Sequence, residues 1–562
     1  MIERIVGRMT SPAVMFLLCA TLLFTTLLGA PSAARAQTDV LRTAPEKTSH
    51  EETTRYADVM RFVEATARAA PSIIHVDTFG YTFEGRALPV AVVGRVADAS
   101  PEAVRASGRT VVYVQGNIHA GEVEGKESLL MLLRDFAEGG RTELLDSLVL
   151  LVVPIYNADG NERVRLTNRP SQHGPVGGMG QRPNAQDYDL NRDHMKLDSP
   201  EARSLAMLFS RYDPHVMMDL HTTNGTRHAY HLTYSVPMHP ATDSAVVRLL
   251  RQRWMPEVTR TIRDAYGWDY YYYGNLQGQG DQRGWWTFDY RPRFNNNYAG
   301  LRNRFGILSE AYSYLTFEDR IRATTYFVEE VLRFAMRNAS AIRQTAAAAD
   351  AHSIVGMDLA LRAEPERSPE QVTILMGDVS EVVNPYSGER MLLRLDVSTP
   401  DPMWEYGTYT PTETERVPAA YLIPPDLTEV LVRLEAHGVR TTTLPSARSM
   451  QVERFRIDST SVSPQPFQGH QERTLFGSYE SVTETVPAGT RVVPVDQPLG
   501  RLAFILLEPR SADGFLNWNV VDRAMGMVLA PAGRGGRGGR GGQPSQPASR
   551  YPIMRSHERI AG

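Results

Sequence analysis

Residues 111–122 read VVYVQGNIHAGE, and this stretch decides the fold. Its first part, Val111–Gln115, is short and apolar and ends in a turn, which predicts a strand buried on both faces of a sheet. The following GNIHAGE places His119 and Glu122 three residues apart, in the turn before a predicted helix at Val123–Ala137. Two side chains with this spacing in a strand-to-helix turn can point at one centre. The stretch therefore predicts an α/β unit with a candidate site at the carboxyl end of its strand.

Three further apolar runs predict strands of the same kind, at Leu148–Pro154, Val216–Leu220 and Phe305–Leu308. Between them, Pro200–Arg211 predicts a helix because its Pro-Glu start suits a first helical turn. Strands that alternate with helices indicate an α/β domain. We therefore expect a mixed open sheet with helices on both faces.

The pattern changes along the chain, and the changes predict a division into domains. Beyond about residue 365 apolar and polar residues alternate, as in Met391–Val397 and Val452–Ile457, which predicts a smaller C-terminal β-rich domain. Within it, Thr428–His437 predicts a helix that stops at Gly438. We expect a signal peptide at 1–36, a linker at 37–52, the catalytic domain at 53–345, the β-rich domain at 346–530, a flexible Gly/Arg-rich segment at 531–550 and a tail at 551–562.

The first 36 residues have the pattern of a cleavable signal peptide. Arg4 and Arg8 precede the apolar run Ala13–Leu28, and residues 34–36 read ARA, a small-x-small cleavage site. The run is short for a membrane span, which needs about 20 residues. We therefore expect cleavage after Ala36, a periplasmic or secreted protein, and no stable membrane insertion afterwards.

Composition and charge exclude several classes of protein. A content of 42% hydrophobic and 22% charged residues is ordinary for a globular chain, and the net charge of −4 argues against nucleic acid as a partner. The only cysteine, Cys19, lies in the predicted signal peptide. The mature chain is therefore expected to contain no disulfide and no thiolate ligand, so nitrogen and oxygen atoms must hold any metal.

Two more polar groups follow predicted strands and complete a candidate metal site. His221 comes directly after the strand at 216–220, and Glu310 follows the strand at 305–308. Two histidines and one glutamate, His119, His221 and Glu122, supply three zinc ligands and leave a fourth position for water, as in hydrolytic sites. Glu310, on a separate strand, suits the base that takes a proton from that water. The pattern predicts a zinc hydrolase with one Zn²⁺ per chain.

The order of motifs resembles the M14 zinc carboxypeptidases over residues 55–345. The resemblance rests on E-G-R at 84–86, H-A-G-E at 119–122, N-A-D-G at 157–160, R-P-N-A-Q-D-Y-D-L-N-R at 182–192, D-L-H-T at 219–222 and S-E-A-Y at 309–312. It implies the zinc carboxypeptidase fold for the α/β domain. It also implies that His119, Glu122 and His221 bind the metal and that Glu310 is the general base.

The resemblance implies roles for four more residues within R-P-N-A-Q-D-Y-D-L-N-R. Arg182 matches the residue that polarises the scissile carbonyl and stabilises the oxyanion. Asn191 and Arg192 match the pair that binds the terminal carboxylate of the substrate, where a guanidinium makes two parallel hydrogen bonds. Asp189 matches the carboxylate that orients the first zinc histidine.

One residue departs from the family pattern, and one family residue has two candidate matches in this chain. Gly121 stands where the pancreatic enzymes have an arginine between the first histidine and the glutamate. The family's substrate-binding tyrosine matches either Tyr290 or Tyr298, and we favour Tyr298. The aromatic run Tyr270–Tyr273 suits either a wall of a substrate pocket or ordinary core packing.

We conclude from the sequence that the chain is an exported zinc metallopeptidase that removes C-terminal residues from peptides. One alternative is a zinc amidohydrolase that acts on cell-wall peptides or N-acyl amino acids. The other is a non-catalytic peptide-binding protein. A peptide and its C-terminally amidated form distinguish the first alternative, because a carboxypeptidase that uses Arg192 should not accept the amide.

Overall fold

A computed structural model describes residues 41–223, 225–527 and 548–560 of the 562-residue chain. The predicted signal peptide, its cleavage site after Ala36 and residues 531–547 of the predicted Gly/Arg-rich segment lie outside the described residues. Among the described helices, none has both the length and the apolar character that crossing a membrane requires.

A mixed sheet of eight strands forms the centre of the molecule, in the order β1-β2-β4-β3-β5-β10-β6-β7. β3, β4, β5 and β10 are mutually parallel, whereas β2 and β6 pair antiparallel with their neighbours β4 and β10. The first ten strands, of which β8 and β9 belong to another sheet, are β1 Ile74–Tyr81, β2 Ala87–Val93, β3 Thr110–Gly116, β4 Leu148–Val153, β5 Val216–Thr222, β6 Leu232–Ser235, β7 Tyr270–Tyr272, β8 Asn275–Gln277, β9 Gly284–Trp286 and β10 Phe305–Ala311.

Every residue of β3, β4 and β5 is buried, which shows that helices and loops cover both faces of the sheet at these strands. The α-helices are Ala44–Lys47, Tyr56–Ala69, Pro101–Ala106, Glu124–Ala137, Ala158–Glu162, Pro200–Tyr212, Ser244–Leu249, Met255–Tyr266, Asn295–Leu301, Phe317–Arg337, Ala339–Ala351, Thr428–His437 and Gly500–Leu507. Glu124–Ala137 packs against Phe317–Arg337, and Pro200–Tyr212 packs against Thr428–His437. The mixed α/β architecture confirms the fold class predicted from the sequence.

Helix Pro200–Tyr212, which precedes β5 on the chain, shows why its residues form a helix. Ser199 caps Pro200–Tyr212 by accepting a hydrogen bond from the amide of Ala202, and Pro200 begins the first turn, where its missing N–H costs nothing. The helix ends at Asp213, whose φ of 46° is left-handed. The apolar side of the helix is buried against β1.

The C-terminal part adds several small sheets, which confirms the predicted β-rich character. Its largest sheet has six strands in the order β18-β21-β17-β22-β19-β20. The strands are β11 Asp358–Glu366, β12 Val372–Met376, β13 Val379–Val383, β14 Arg390–Arg394, β15 Thr399–Tyr406, β16 Thr408–Arg416, β17 Ala420–Ile423, β18 Thr442–Thr443, β19 Arg448–Val462, β20 Arg473–Val486, β21 Arg491–Pro494 and β22 Met554–Ser556.

The described segments cross the predicted domain limits at several places. Helix Ala339–Ala351 runs through the expected boundary at 345/346, and β9 pairs with β15 across it. One hydrophobic cluster contains Ile307 of the central sheet and Phe504 of helix Gly500–Leu507. The C-terminal part is therefore packed onto the α/β part through a shared core.

Both ends of the described chain also take part in this packing. Within the predicted linker, helix Ala44–Lys47 is held by an ion pair of 2.7 Å between Glu46 and Arg134. The predicted tail contributes β22 to the six-stranded sheet, where it pairs with β17.

Candidate active site

The carboxyl ends of β3, β5 and β10 meet at one edge of the sheet and bring the predicted metal and base residues together. Glu310 lies opposite His221 in the register of β10 and β5. His119 and Glu122 lie in the turn between β3 and helix Glu124–Ala137. This helix approaches β5 so closely that a Cβ on Gly125 would lie 2.7 Å from Cβ of Leu220, so a side chain there would push the turn away.

His119, Glu122 and His221 form a compact buried set of ligand atoms. Nδ1 of His221 lies 3.2 Å from Nδ1 of His119 and 2.9 Å from a carboxylate oxygen of Glu122. Nδ1 of His119 lies 3.2 Å from the other oxygen of Glu122. Ligands about 2.0–2.1 Å from a tetrahedral zinc lie about 3.3 Å apart, so these separations fit one zinc ion.

The outer nitrogens of both histidines face carboxylates, which determines the tautomers. Nε2 of His119 lies 2.9 Å from Asp189, and Nε2 of His221 lies 2.8 Å from Asp219. Each Nε2 therefore carries a proton and donates it, so each Nδ1 is the atom that offers a lone pair to a metal ion once it carries no proton. In that form two lone pairs 3.2 Å apart repel each other unless a metal ion lies between them. The donor set thus fits a zinc ion.

Asp219 is a site residue that the sequence interpretation missed. Its motif, D-L-H-T at 219–222, supports the family resemblance, but only His221 of this motif was assigned a role. Asp219 and His221 are two residues apart on β5, so both side chains lie on the same face of the strand. That spacing was a usable signal for a carboxylate partner of the second histidine.

Glu122 is held in its charged form by neighbouring cations. Burial opposes ionisation, but the positive charges of His119 and Arg169 hold the pKa of Glu122 well below its usual range. Arg169 donates a hydrogen bond of 2.9 Å to Glu122 and two more to the carbonyls of Thr222 and Thr223. A charged carboxylate is the form that binds zinc.

Arg169 occupies the space beside Gly121. A Cβ on Gly121 would lie 2.8 Å from Cδ of Arg169, so a longer side chain at 121 and this arginine exclude each other. The chain therefore has no cation at position 121, but the guanidinium of Arg169, from a distant loop, lies beside this position. Arg169 lies in a loop with a left-handed φ of 49°, and no local sequence pattern predicts its approach to Glu122.

Glu310 lines the same cavity as the three ligand residues. Burial raises the pKa of its carboxyl to about 8; the positive charge of His221 opposes this shift and the negative charge of Glu122 adds to it. A carboxylate with a raised pKa is a stronger proton acceptor, which suits a general base.

Arg182 and Asp189 lie beside the metal ligands. Arg182 donates two hydrogen bonds, of 3.1 and 2.8 Å, to one oxygen of Asp189, and its NH1 lies 3.5 Å from Glu122. The side chain of Arg182 is 41% exposed, so it is free to meet a substrate as well. The other oxygen of Asp189 faces His119 at 2.9 Å.

Asn191 and Arg192 line the same cavity. The guanidinium of Arg192 lies 4.1 Å above the ring of Phe294, which holds it flat, and donates to the carbonyl of Asn191. The side-chain oxygen of Asn191 accepts a hydrogen bond of 3.1 Å from the amide of Asn295. The guanidinium of Arg192 lies 3.9 Å from a carboxylate oxygen of Asp189, which is too far for a hydrogen bond. Arg192 therefore keeps N–H donors for a carboxylate of a ligand.

The cavity that these residues enclose has a volume of about 370 Å³, within the range of small-ligand sites. Besides the titratable and charged groups its wall contains two neutral polar residues, Asn191 and Thr222, and aromatic and apolar side chains. The lining residues are His119, Glu122, Arg169, Arg182, Asn191, Arg192, His221, Thr222, Tyr273, Phe288, Phe294, Leu308 and Glu310.

Tyr298 does not reach this cavity, so its prediction as a substrate-binding residue is corrected. Its side chain is 1% exposed and its hydroxyl lies 2.8 Å from Nδ1 of His437. The residue belongs to helix Asn295–Leu301, whose every residue is buried. Tyr290 lies instead against Tyr409 and His239, outside the lining of the cavity.

Tyr273 is the tyrosine that the structure places in the cavity wall. Burial raises the pKa of its phenol and the negative charge of Glu310 raises it further, so the hydroxyl stays protonated and can donate. Of the run Tyr270–Tyr273, Tyr270 is instead buried in the core, where its hydroxyl donates to the carbonyl of Ala323.

We expect Tyr273→Phe to lower kcat/KM roughly fivefold to tenfold, the effect of losing one hydrogen bond to substrate. Tyr298→Phe is the matched control: kcat/KM should change less than twofold while Tm falls, because Nδ1 of buried His437 loses its hydrogen-bond partner. Steady-state kinetics and thermal unfolding of both variants check this. A larger loss of kcat/KM in Tyr298→Phe than in Tyr273→Phe would restore Tyr298 to the site.

Comparison with known proteins gives a consistent picture. The family model "Zinc carboxypeptidase" matches residues 59–224, a range that includes His119, Glu122 and His221 but not Glu310. The chain is 26% identical over 477 residues to carboxypeptidase 2 of Trichophyton tonsurans, covering 79% of each protein. It is 25% identical over 502 residues to carboxypeptidase 2 of Trichophyton rubrum, covering 83% of this chain and 84% of that protein.

Shorter matches and solved structures are also of proteins named carboxypeptidases. Human carboxypeptidase D is 30% identical over 162 residues, which cover 25% of this chain and 12% of that protein. A putative carboxypeptidase A from Shewanella denitrificans has 18% identity and a TM-score of 0.36, covering 51% of this chain and 69% of that one. The carboxypeptidase A from Helicoverpa armigera has 15% identity and a TM-score of 0.38, covering 56% and 80%.

Proposed function

We propose that the chain, which matches a zinc carboxypeptidase model over residues 59–224, is an exported zinc-dependent metallocarboxypeptidase that releases single residues from peptide C-termini. The observation that carries the proposal is the position of Arg192. Its guanidinium, stacked on Phe294, lines the same cavity as the metal ligands and Glu310. A carboxylate bound at Arg192 would place the last peptide bond of a substrate over the metal ligands.

We assign the metal to His119, Glu122 and His221, one zinc ion per chain. A zinc ion held there supplies a Lewis acid that polarises the substrate carbonyl and acidifies water. Asp189 and Asp219 keep the two imidazoles in the tautomer that binds metal.

The remaining steps fall to side chains of the chain itself. Glu310 takes a proton from the attacking water and then gives it to the nitrogen of the leaving amino acid. Arg182 donates hydrogen bonds to the oxyanion as charge develops on the former carbonyl oxygen. Arg192 and Asn191 hold the terminal carboxylate, and Tyr273, which lines the same cavity, donates to the substrate.

The export part of the proposal rests on the sequence alone. The basic residues, the apolar run Ala13–Leu28 and the A-x-A site ending at Ala36 are the pattern of a secretory signal peptide.

A pair of matched peptides tests the C-terminal specificity. The zinc-loaded protein should release the last residue of a peptide with a free C-terminus and leave its C-terminally amidated form intact, because Arg192 then lacks a carboxylate to bind. Equal turnover of both peptides would overturn the proposal in favour of the zinc amidohydrolase that the sequence left open.

Arg192→Lys should raise KM for the free-acid peptide about 10–100-fold with a smaller change in kcat. A lysine keeps the charge but loses the planar pair of donors, and a charge-assisted hydrogen bond is worth about 1.5–3 kcal/mol. Arg211→Lys, at an exposed position, is the control and should behave as the wild type. An unchanged KM in Arg192→Lys would show that Arg192 does not bind the carboxylate.

A further inference from the structure

The connection between β19 and β20, residues 463–472, reaches from the C-terminal part of the chain to the candidate active site. We call it the tip segment. The side-chain oxygen of Gln468 accepts a hydrogen bond of 2.7 Å from the backbone amide of Asp189, although 279 positions separate the two residues. Gln468 has a left-handed φ of 51°, so the segment turns sharply where its side chain meets the site.

The position of Asp189 matters because its carboxylate contacts three groups of the site. One oxygen faces Nε2 of His119 at 2.9 Å and accepts from the amide of Asn191 at 2.9 Å. The other oxygen accepts two hydrogen bonds from Arg182. A shift of the backbone at Asp189 would therefore move a metal ligand, the start of the carboxylate-binding pair and the oxyanion arginine together.

The tip segment touches the same loop at two more places. Nε2 of His470 lies 2.6 Å from a carboxylate oxygen of Asp198. The carboxylate of Asp198 also forms ion pairs with Lys196 and Arg433. A Cβ on Gly469 would lie 3.3 Å from the ring of Tyr188, so the backbone of the tip lies flat on that ring. The loop from Tyr188 to Asp198 is thus held at both ends.

A second route reaches Arg192 from its other side, through Arg293. Asp513 accepts hydrogen bonds of 2.7 Å from the amide of Arg293 and of 2.9 and 2.6 Å from its guanidinium, and Glu472 of the tip segment pairs with the same guanidinium. Arg293 precedes Phe294, whose ring lies under Arg192. Both Arg293 and Asp513 are buried, so water does not replace these bonds.

We propose that the tip segment, with Asp513, is a positioning element that holds Asp189, Asn191 and Arg192 in the geometry for binding zinc and the terminal carboxylate. This inference rests on the proposed function and assigns to the C-terminal part a role in the catalytic site of the α/β part. Gln468 is a positioning residue, since it acts through Asp189 and does not touch substrate.

The variant Gln468→Ala removes the acceptor for the Asp189 amide and tests the proposal in the full-length protein. Gln468→Glu keeps an acceptor oxygen at the same place and serves as the rescue. Gln465→Ala, an exposed position on the same tip segment, is the matched control. Three quantities are measured: amide hydrogen exchange of the peptide that contains Asp189 in the metal-free protein, the rate of zinc loss to a chelator, and KM and kcat.

We expect Gln468→Ala to accelerate amide exchange around Asp189 and to speed zinc loss about tenfold, the lower end of the effect of disturbing a group that orients a metal ligand. KM should rise more than kcat falls, because the carboxylate-binding pair moves while Glu310 does not. Gln468→Glu should restore wild-type exchange and zinc retention, and Gln465→Ala should equal the wild type in all three.

Two results would overturn the proposal. The first is a Gln468→Ala protein with wild-type exchange at Asp189 and wild-type zinc loss. The second is a parallel loss of kcat, Tm and zinc that Gln468→Glu does not restore, which is the result of merely structural support. Failure of the wild type to release C-terminal residues would instead refute the proposed function, and the exchange and zinc measurements would still decide the role of the tip segment.

Discussion

Replacing Glu310 by glutamine should lower kcat by about 10³-fold or more, at the upper part of the range for loss of a general base. Glutamine has nearly the shape of glutamate but cannot accept a proton from water at neutral pH. Glu310 lines the cavity from β10, opposite His221 in the strand register, and is not one of the three converging ligand residues. Zinc should therefore stay bound in the variant, and KM should change little.

The measurement is single-turnover release of the C-terminal residue from a peptide, with zinc content determined on the same sample. Glu318→Gln is the matched control, because Glu318 is an exposed carboxylate on the helix that follows β10. It should retain wild-type kcat. A Glu310→Gln protein that contains one zinc and keeps more than a tenth of wild-type kcat would refute the assignment of Glu310 as the base.

Replacing His221 by alanine should abolish both zinc binding and hydrolysis. Loss of a group that merely orients a ligand costs about 10–100-fold in metal affinity, so loss of the ligand itself should cost more than about 100-fold. The variant also leaves Asp219 and Glu122 buried without the imidazole that each contacts. Metal analysis after dialysis and a competition assay with a zinc chelator measure the affinity.

His557→Ala controls for the loss of an imidazole, because His557 is exposed and directly follows β22. It should bind one zinc and hydrolyse peptide as the wild type does. Wild-type zinc affinity in His221→Ala would mean that the metal lies elsewhere, and the three-residue site would have to be abandoned.

The features that the sequence predicted well depend on short-range patterns. The apolar runs at 111–115 and 216–220 became β3 and β5 because continuous apolar sequence suits strands buried on both faces. The meeting of His119, Glu122, His221 and Glu310 around one cavity was predicted because parallel strands bring their carboxyl ends to one edge. The helix Thr428–His437 was also found with its bounds, since Gly438 supplies the left-handed φ of 82° that ends it.

The features that were missed depend on contacts between distant segments. Arg169 and Gln468 approach the site from irregular loops with left-handed φ, and neither loop has a periodic pattern. The position of Tyr273 in the cavity wall was also missed. β6 runs antiparallel to β10, and β7 is parallel to β6, so the rule that ligands gather at the carboxyl ends of parallel strands does not apply to Tyr273.

The most direct test of a one-zinc carboxypeptidase is a titration of the metal-free protein with zinc, in which release of the C-terminal residue from a free-acid peptide is measured at each addition. We expect no release without zinc, a linear increase up to one equivalent per chain, and no further increase beyond it. Undiminished release by the metal-free protein, or activity that needs two equivalents, would contradict the site built from His119, Glu122 and His221.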